Sequence, residues 1–155
     1  MRIHIGGDHA AFDLQRDLVG WLAEQGHEVV DHGPTEFDEL DNYPVFVLRA
    51  AQAVAAEPDA LGIVLGGSGN GEQIAANKVD GIRAALCYNA ELATLARLHN
   101  NAQVISIGAR MHTVEEAHEM VAAFLSTDFT GEDRHQARID MMAAYEADGT
   151  LPDLP

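Results

Sequence analysis

Strands and helices alternating along the whole chain predict an α/β fold: a three-layer αβα sandwich built on an open, Rossmann-like sheet of five parallel strands. Three observations carry this reading. Five short runs of aliphatic and β-branched residues recur, a segment of helical periodicity follows each, and no polar linker, low-complexity tract or internal repeat intervenes. Strands connected through helices pair in parallel, and a parallel sheet needs both faces covered.

Ile3 to Gly7 reads as the first strand, with Asp8-His9-Ala10 as its exit loop. Phe12, Leu14, Leu18, Val19 and Leu22 then recur at helical spacing, and Gly26 stands where a helix C-cap is expected. His27 to His32 is the second strand. A loop holding Gly33, Pro34 and several acids leads to an Ala-rich helix from about Pro44 to Glu57, with proline suited to the first turn. Leu61 to Leu65 is the clearest buried strand; it runs into Gly66-Gly67-Ser68-Gly69-Asn70-Gly71 and a short helix through Ile74, Ala75 and Ala76. Ile82 to Cys87 reads as strand four, Glu91 to His99 as a helix, and Val104 to Ile107 as strand five. Val114–Leu125 and Arg134–Tyr145 close the chain as amphipathic helices, the last an addition to the basic fold. The expected strand order is 2-1-3-4-5, within a single domain spanning 1–155 whose last residues, about 147–155, form a tail.

Composition narrows the function. The chain has 155 residues, with 9 Lys+Arg against 25 Asp+Glu and a net charge of −16. Its 47% hydrophobic content excludes a disordered acidic tail, which cannot bury apolar surface. No run approaches the roughly 20 apolar residues of a membrane span. Met1-Arg2-Ile3-His4-Ile5 leads directly into a strand pattern without the apolar region of a signal peptide, and Cys87, the only cysteine, cannot form an intrachain disulfide. A reducing, cytoplasmic setting is the expectation. A duplex-binding protein needs a basic face, so nucleic acid is not an expected partner. A small anion remains possible, because one pocket can be positive on a negative protein.

In doubly wound sheets the ligand lies beyond the C-terminal strand ends. Those ends carry Asp8-His9, the glycine loop, Asn89 and Gly108-Ala109-Arg110. Four glycines in six residues between a strand and a helix suit a loop that exposes main-chain N–H groups to an anion; a plain tight turn is the simpler alternative. Three familiar motifs fail here. Gly66 and Gly71 have Walker A spacing, but Glu72-Gln73 replace the required Lys and Ser/Thr. The G-x-S-x-G elbow meets Asn70 where its second glycine belongs, and G-x-G-x-x-G closes one residue early. What remains is a set of N–H donors beside the carboxylate of Glu72, a pairing suited to proton abstraction next to a carbonyl. Glu72 is equally explained as a favourable charge at a helix start. Asp8 suits a cap, and His99 suits either a helix C-terminus or acid/base work near neutral pH. Arg134 and Arg138 share one helical face, as a solvated charged surface or a phosphate clamp. None of the eight histidines falls in H-E-x-x-H and no Cys/His cluster exists, so no metal is expected.

Gly6-Gly7-Asp8-His9-Ala10, Gly66 to Lys78 (GGSGNGEQIAANK), His99-Asn100-Asn101, Gly108-Ala109-Arg110-Met111 and Arg134 to Ile139 (RHQARI) together resemble the ribose-5-phosphate isomerase B family, part of a group that includes the galactose-6-phosphate isomerase subunits. The resemblance is collinear from residue 2 to about 146. It implies cofactor-free interconversion of ribose 5-phosphate and ribulose 5-phosphate, a pentose phosphate pathway reaction, by a homodimer or tetramer whose active sites are shared between subunits. It implies that Asp8 and His9 handle the sugar ring and the phosphate end, and that His99 opens the furanose ring. Gly67, Ser68, Gly69, Asn70 and Gly71 would hold the enediolate, Asn100 would bind the sugar, Tyr43 would line the pocket, and Arg110, Arg134 and Arg138 would bind phosphate. Many members of the family carry a catalytic cysteine where this chain has Gly66; the chain resembles the branch in which a glutamate at the Glu72 position replaces it. Cys87 is then an inert core residue. The rival readings are the same chemistry on erythrulose 4-phosphate, allose 6-phosphate or galactose 6-phosphate, and a non-catalytic sugar-phosphate-binding subunit.

Overall fold

The computed structural model describes residues 1–154. Its elements are β1 (Arg2–Gly7), α1 (Phe12–Glu24), β2 (Glu28–Asp31), α2 (Pro44–Ala56), β3 (Leu61–Gly66), α3 (Asn70–Ala76), β4 (Ala84–Leu86), α4 (Ala90–Asn100), β5 (Val104–Gly108), α5 (Val114–Leu125) and α6 (Asp133–Asp148). A single 3₁₀ turn, His9–Ala11, joins β1 to α1. All strand pairings are parallel, so the α/β class and the five-stranded sheet agree with expectation.

Local chemistry sets the helix ends. Gly26 takes φ +84 just past α1, a conformation open to glycine without strain. Pro44 opens α2. Asn89 caps α4 by accepting from Leu92 N–H at 2.8 Å, which accounts for a residue that strand position alone puts at the site edge. Thr113 and Glu116 form a reciprocal capping box at the start of α5.

The strand order is 2-1-3-5-4, not 2-1-3-4-5. Burial explains the exchange. All five β5 residues are buried, as befits a strand with neighbours on both sides, whereas β4 has three residues, two of them half-buried, as befits an edge. Connections between parallel strands are right-handed, so the chain changes face when it steps back from β4 to β5. Accordingly α4 leaves the layer of α2 and α3 and joins α1 and α5. Leu18, Leu22, Ala93, Met120 and Phe124 bury one face of the sheet against Ile3, Ile5, Ile63 and Ile105. Val47, Ala50, Val54 and Ala76 cover the other, against Val64 and Val104.

Asn77 ties α3 to the edge strand like a piece of backbone. Its side chain donates to Ala84 O at 2.9 Å and accepts from Ala84 N–H at 2.8 Å. Among the described residues no helix is long and apolar enough to cross a membrane.

Candidate active site

β1, β3 and β5 are neighbours, so their C-terminal ends form one continuous rim. The glycine loop is fastened to that rim from the β5 side. Ala109 N–H donates to Gly66 O at 2.8 Å, Arg110 N–H to Gly67 O at 3.1 Å, and the buried Ser106 hydroxyl to Gly69 O at 2.7 Å. Gly108 makes the close approach possible, since a Cβ there would lie 2.7 Å from the Ser68 carbonyl carbon. In a trans peptide the C=O and the following N–H point in opposite directions. With the carbonyls of Gly66 and Gly67 turned into β5, the N–H groups of Gly67 and Ser68 face the opposite way. The loop is thereby an outward-facing pair of donors, the geometry an oxyanion requires.

Glu72 lies in the first turn of α3 but does not point into solvent: it is 4% exposed. Its carboxylate reaches back to the hollow above Gly66, where a Cβ on residue 66 would stand 2.0 Å from Oε1 and 2.1 Å from Cδ. The missing side chain at 66 is the space the carboxylate occupies. Burial holds the Glu72 pKa above the ordinary carboxylate range; the N–H groups of Glu72 and Gly69 oppose this, and the charge of Asp8 reinforces it. Asp8 is raised for the same leading reason, burial, against the Ala10 N–H, which it accepts at 3.0 Å, and the charges of His9 and Arg110.

His9 follows on the 3₁₀ turn, with Nδ1 2.8 Å from Asp41 Oδ1. Tyr43 packs against Gly71, where an added Cβ would meet its ring carbon at 2.7 Å. The Arg110 guanidinium lies over Gly67, 3.5 Å from where a Cβ would stand. Asn70 is exposed on the loop, its amide donating to Ser68 Oγ at 3.2 Å. Asp8, His9, Tyr43, Gly67 to Gly71, Glu72 and Arg110 therefore converge on one rim.

His99, Asn100, Arg134 and Arg138 do not join them. α4 runs antiparallel to the strands, so its last residues sit at the N-terminal end of the sheet, roughly 16 Å of helix away from the rim. Arg83, just before β4, fixes that corner by donating to Asn100 O at 2.8 Å and Asn101 O at 2.9 Å. α6 crosses the same end. His135 stacks on His99 with ring centroids 4.3 Å apart, and the Glu146 carboxylate accepts from Gly81 N–H at 2.9 Å. Arg134 is 66% exposed, with Nε 3.0 Å from Glu132 Oε2. Each chain thus carries two groups of candidate residues at opposite ends of its sheet.

Nothing in the sequence singles out Asp41 or Ser106. Asp41 looks like any acid in an acidic loop, and Ser106 like a strand residue; only long-range pairing distinguishes them. Asp8, His9 and Asp41 offer ligand atoms within 4.8 Å of one another, the spacing a metal ion would need. His9 Nδ1 and Asp41 Oδ1 are bonded to each other there.

Cys87 is buried, and burial pushes its thiol up to about 12. Iodoacetamide at neutral pH should leave the native protein unlabelled by intact mass and its activity unchanged; rapid labelling with inactivation would contradict the assignment. Gly66→Ala carries the opposite expectation. The new methyl evicts the carboxylate of Glu72, so kcat should fall by roughly a hundredfold or more, within the range ascribed to general-base catalysis. Steady-state kinetics on the folded variant checks this, and full activity would refute the shared hollow.

Comparison with known proteins gives the family. The model of the Ribose/Galactose Isomerase family matches residues 3–142. The chain belongs to that family. It is 52% identical over 155 residues to a ribose-5-phosphate isomerase B of Mycolicibacterium paratuberculosis, covering 100% of this chain and 98% of the relative. It is 39% identical over 145 residues to a ribose-5-phosphate isomerase B of Escherichia coli, covering 94% and 96% respectively. Among family members of known structure, the enzyme of Mycoplasma genitalium, solved with bound ribulose-5-phosphate, superposes with a TM-score of 0.91 at 40% identity, covering 95% of this chain and 97% of that one. That of Clostridium thermocellum gives 0.91 at 38% identity, covering 97% and 100%.

Proposed function

We propose that this protein interconverts D-ribose 5-phosphate and D-ribulose 5-phosphate, with Glu72 as the base. The observation that carries the reading is a buried carboxylate set directly beneath a loop of outward-facing main-chain N–H groups, in a chain with a full-length ribose-5-phosphate isomerase B relative at 52% identity.

The open-chain aldehyde lies over the glycine loop. Glu72 removes the proton from C2, electrons move to the carbonyl oxygen, and the resulting cis-enediolate is held by N–H groups at Gly67 and Ser68. The same carboxyl then delivers the proton to C1 while the hydroxyl proton on O2 passes to O1, completing the ketose. Partial desolvation suits Glu72 to the task, because a carboxylate at its free pKa of about 4.3 is a weak base. Each oxyanion donor is worth on the order of 2.7–4 kcal/mol. Asp8 and His9 hold the sugar ring and the phosphate end, Tyr43 bounds the pocket, and Arg110 faces the phosphate.

The remaining residues come from a second copy. His99 for ring opening, Asn100 for the sugar, and Arg134 and Arg138 for the phosphate stand too far from Glu72 within one chain, so the functional unit is a homodimer in which each site combines the rim of one subunit with the α4–α6 corner of its partner. The face of α6 supports this: beside the two arginines, Met141, Met142 and Tyr145 are all about half exposed, an apolar surface left open among the described residues.

The deciding experiment is a coupled isomerase assay on purified, metal-chelated protein with four-, five- and six-carbon sugar phosphates. Ribose 5-phosphate should be turned over best. Preference for a six-carbon substrate, or tight binding without turnover, would replace this reading.

A further inference from the structure

We propose that Asp41 is a positioning residue for His9: its carboxylate locks the imidazole so that Nε2 is the nitrogen offered to the phosphate end of the substrate. This rests on the reading of the rim as a sugar-phosphate site.

Three observations carry it. First, one oxygen of Asp41 engages His9 twice, accepting from the main-chain N–H at 3.0 Å and lying 2.8 Å from Nδ1. A carboxylate can only accept, so Nδ1 carries a proton, and backbone and ring are fixed by one group. Second, the Asp41 side chain is only 8% exposed although it lies in a loop without regular structure, where acids are ordinarily solvated. Its Oδ2 is buried and has no hydrogen-bond partner among the described residues, so the charge is not drawn off by another donor. Third, the same loop sends Phe37 against His9 edge-on, with centroids 6.4 Å apart at 87°, and Phe12 supports Phe37 in turn at 6.0 Å. The ring is held on two sides, and Nε2 is left for the ligand.

The test compares Asp41→Ala, Asp41→Asn and His9→Ala, using long-range ¹H–¹⁵N NMR of the His9 ring in ligand-free protein, KM and kcat for ribose 5-phosphate, and inhibition by inorganic phosphate. Asp41→Ala should shift His9 toward the Nε2–H tautomer and weaken both KM and the phosphate inhibition constant roughly tenfold or more, as for loss of a charge-assisted hydrogen bond, with kcat little changed. Asp41→Asn keeps an acceptor oxygen and should recover the ring state in large part. In a His9→Ala background, Asp41→Ala should add nothing further. An unaltered His9 ring in Asp41→Ala, or an altered ring with unaltered phosphate inhibition, overturns the proposal. The ring state is read without substrate, so a wild-type protein lacking turnover would defeat the isomerase reading and leave the His9–Asp41 coupling to be judged by the NMR alone.

Discussion

Glu72→Gln is expected to lower kcat by roughly 10²–10⁴-fold, the contribution typical of a general base, while making the folded protein more heat-resistant at neutral pH. Both effects come from one burial. The Glu72 pKa is raised on folding, so its contribution to stability is full below the unfolded carboxylate value of about 4.3 and is lost as pH rises through the higher folded value. At pH 7 the buried charge is a net cost, and glutamine removes it without changing the shape of the side chain. Thermal melts at pH 5 and pH 7.5 should show the stabilising effect growing with pH. In the wild type, the acid limb of kcat/KM against pH should have its midpoint above the ordinary glutamate range, and near-full activity in Glu72→Gln would remove the assignment altogether.

Two inactive variants should restore one another. Glu72→Gln spoils the rim of a subunit, and the double variant Arg134→Ala/Arg138→Ala spoils its far corner, in residues exposed enough to leave the fold intact. In a symmetric dimer with composite sites, a mixed pair joins both damaged halves in one site and both intact halves in the other. Random mixing makes about half the dimers mixed, each with one working site, so co-refolded protein should recover about a quarter of wild-type activity at limiting substrate. Activity that remains at the level of the separate variants would mean that each site is built within a single chain.

Much of this could be read from the sequence, and the parts that could not share a cause. Alternating periodicities are local, so pattern alone puts all eleven elements to within about three residues; β4 is Ala84–Leu86, shorter than the Ile82 to Cys87 the pattern suggests, because Ile82 belongs to a turn with Val79. Strand order is not local: nothing within Ala84-Ala85-Leu86 says that β5 will be inserted between it and β3. The same division runs through the site. The glycine loop and Glu72 are neighbours in sequence, and their place after a buried parallel strand is enough to put them at a ligand-binding strand end. Asp41 meets His9 across 32 residues of chain, and no spacing rule predicts it. His99 stands out by its place at a helix end and the paired arginines by their shared face, and resemblance to a family implies roles for them, whereas a single chain leaves them at the other end of the sheet.

The cavity shared by positions 66 and 72 also bears on ancestry. It admits one side chain of useful size: a glutamate arriving from the helix or a residue with a β-carbon rising from the strand, with only 2.0 Å between them if both were present. Adding a cysteine at 66 to this chain would crowd Glu72, and on the proposed mechanism removing the glutamate first would leave no base at all. On that mechanism, an exchange of one reagent for the other must cross an inactive intermediate or change both positions together, which would keep the two solutions apart instead of grading into one another.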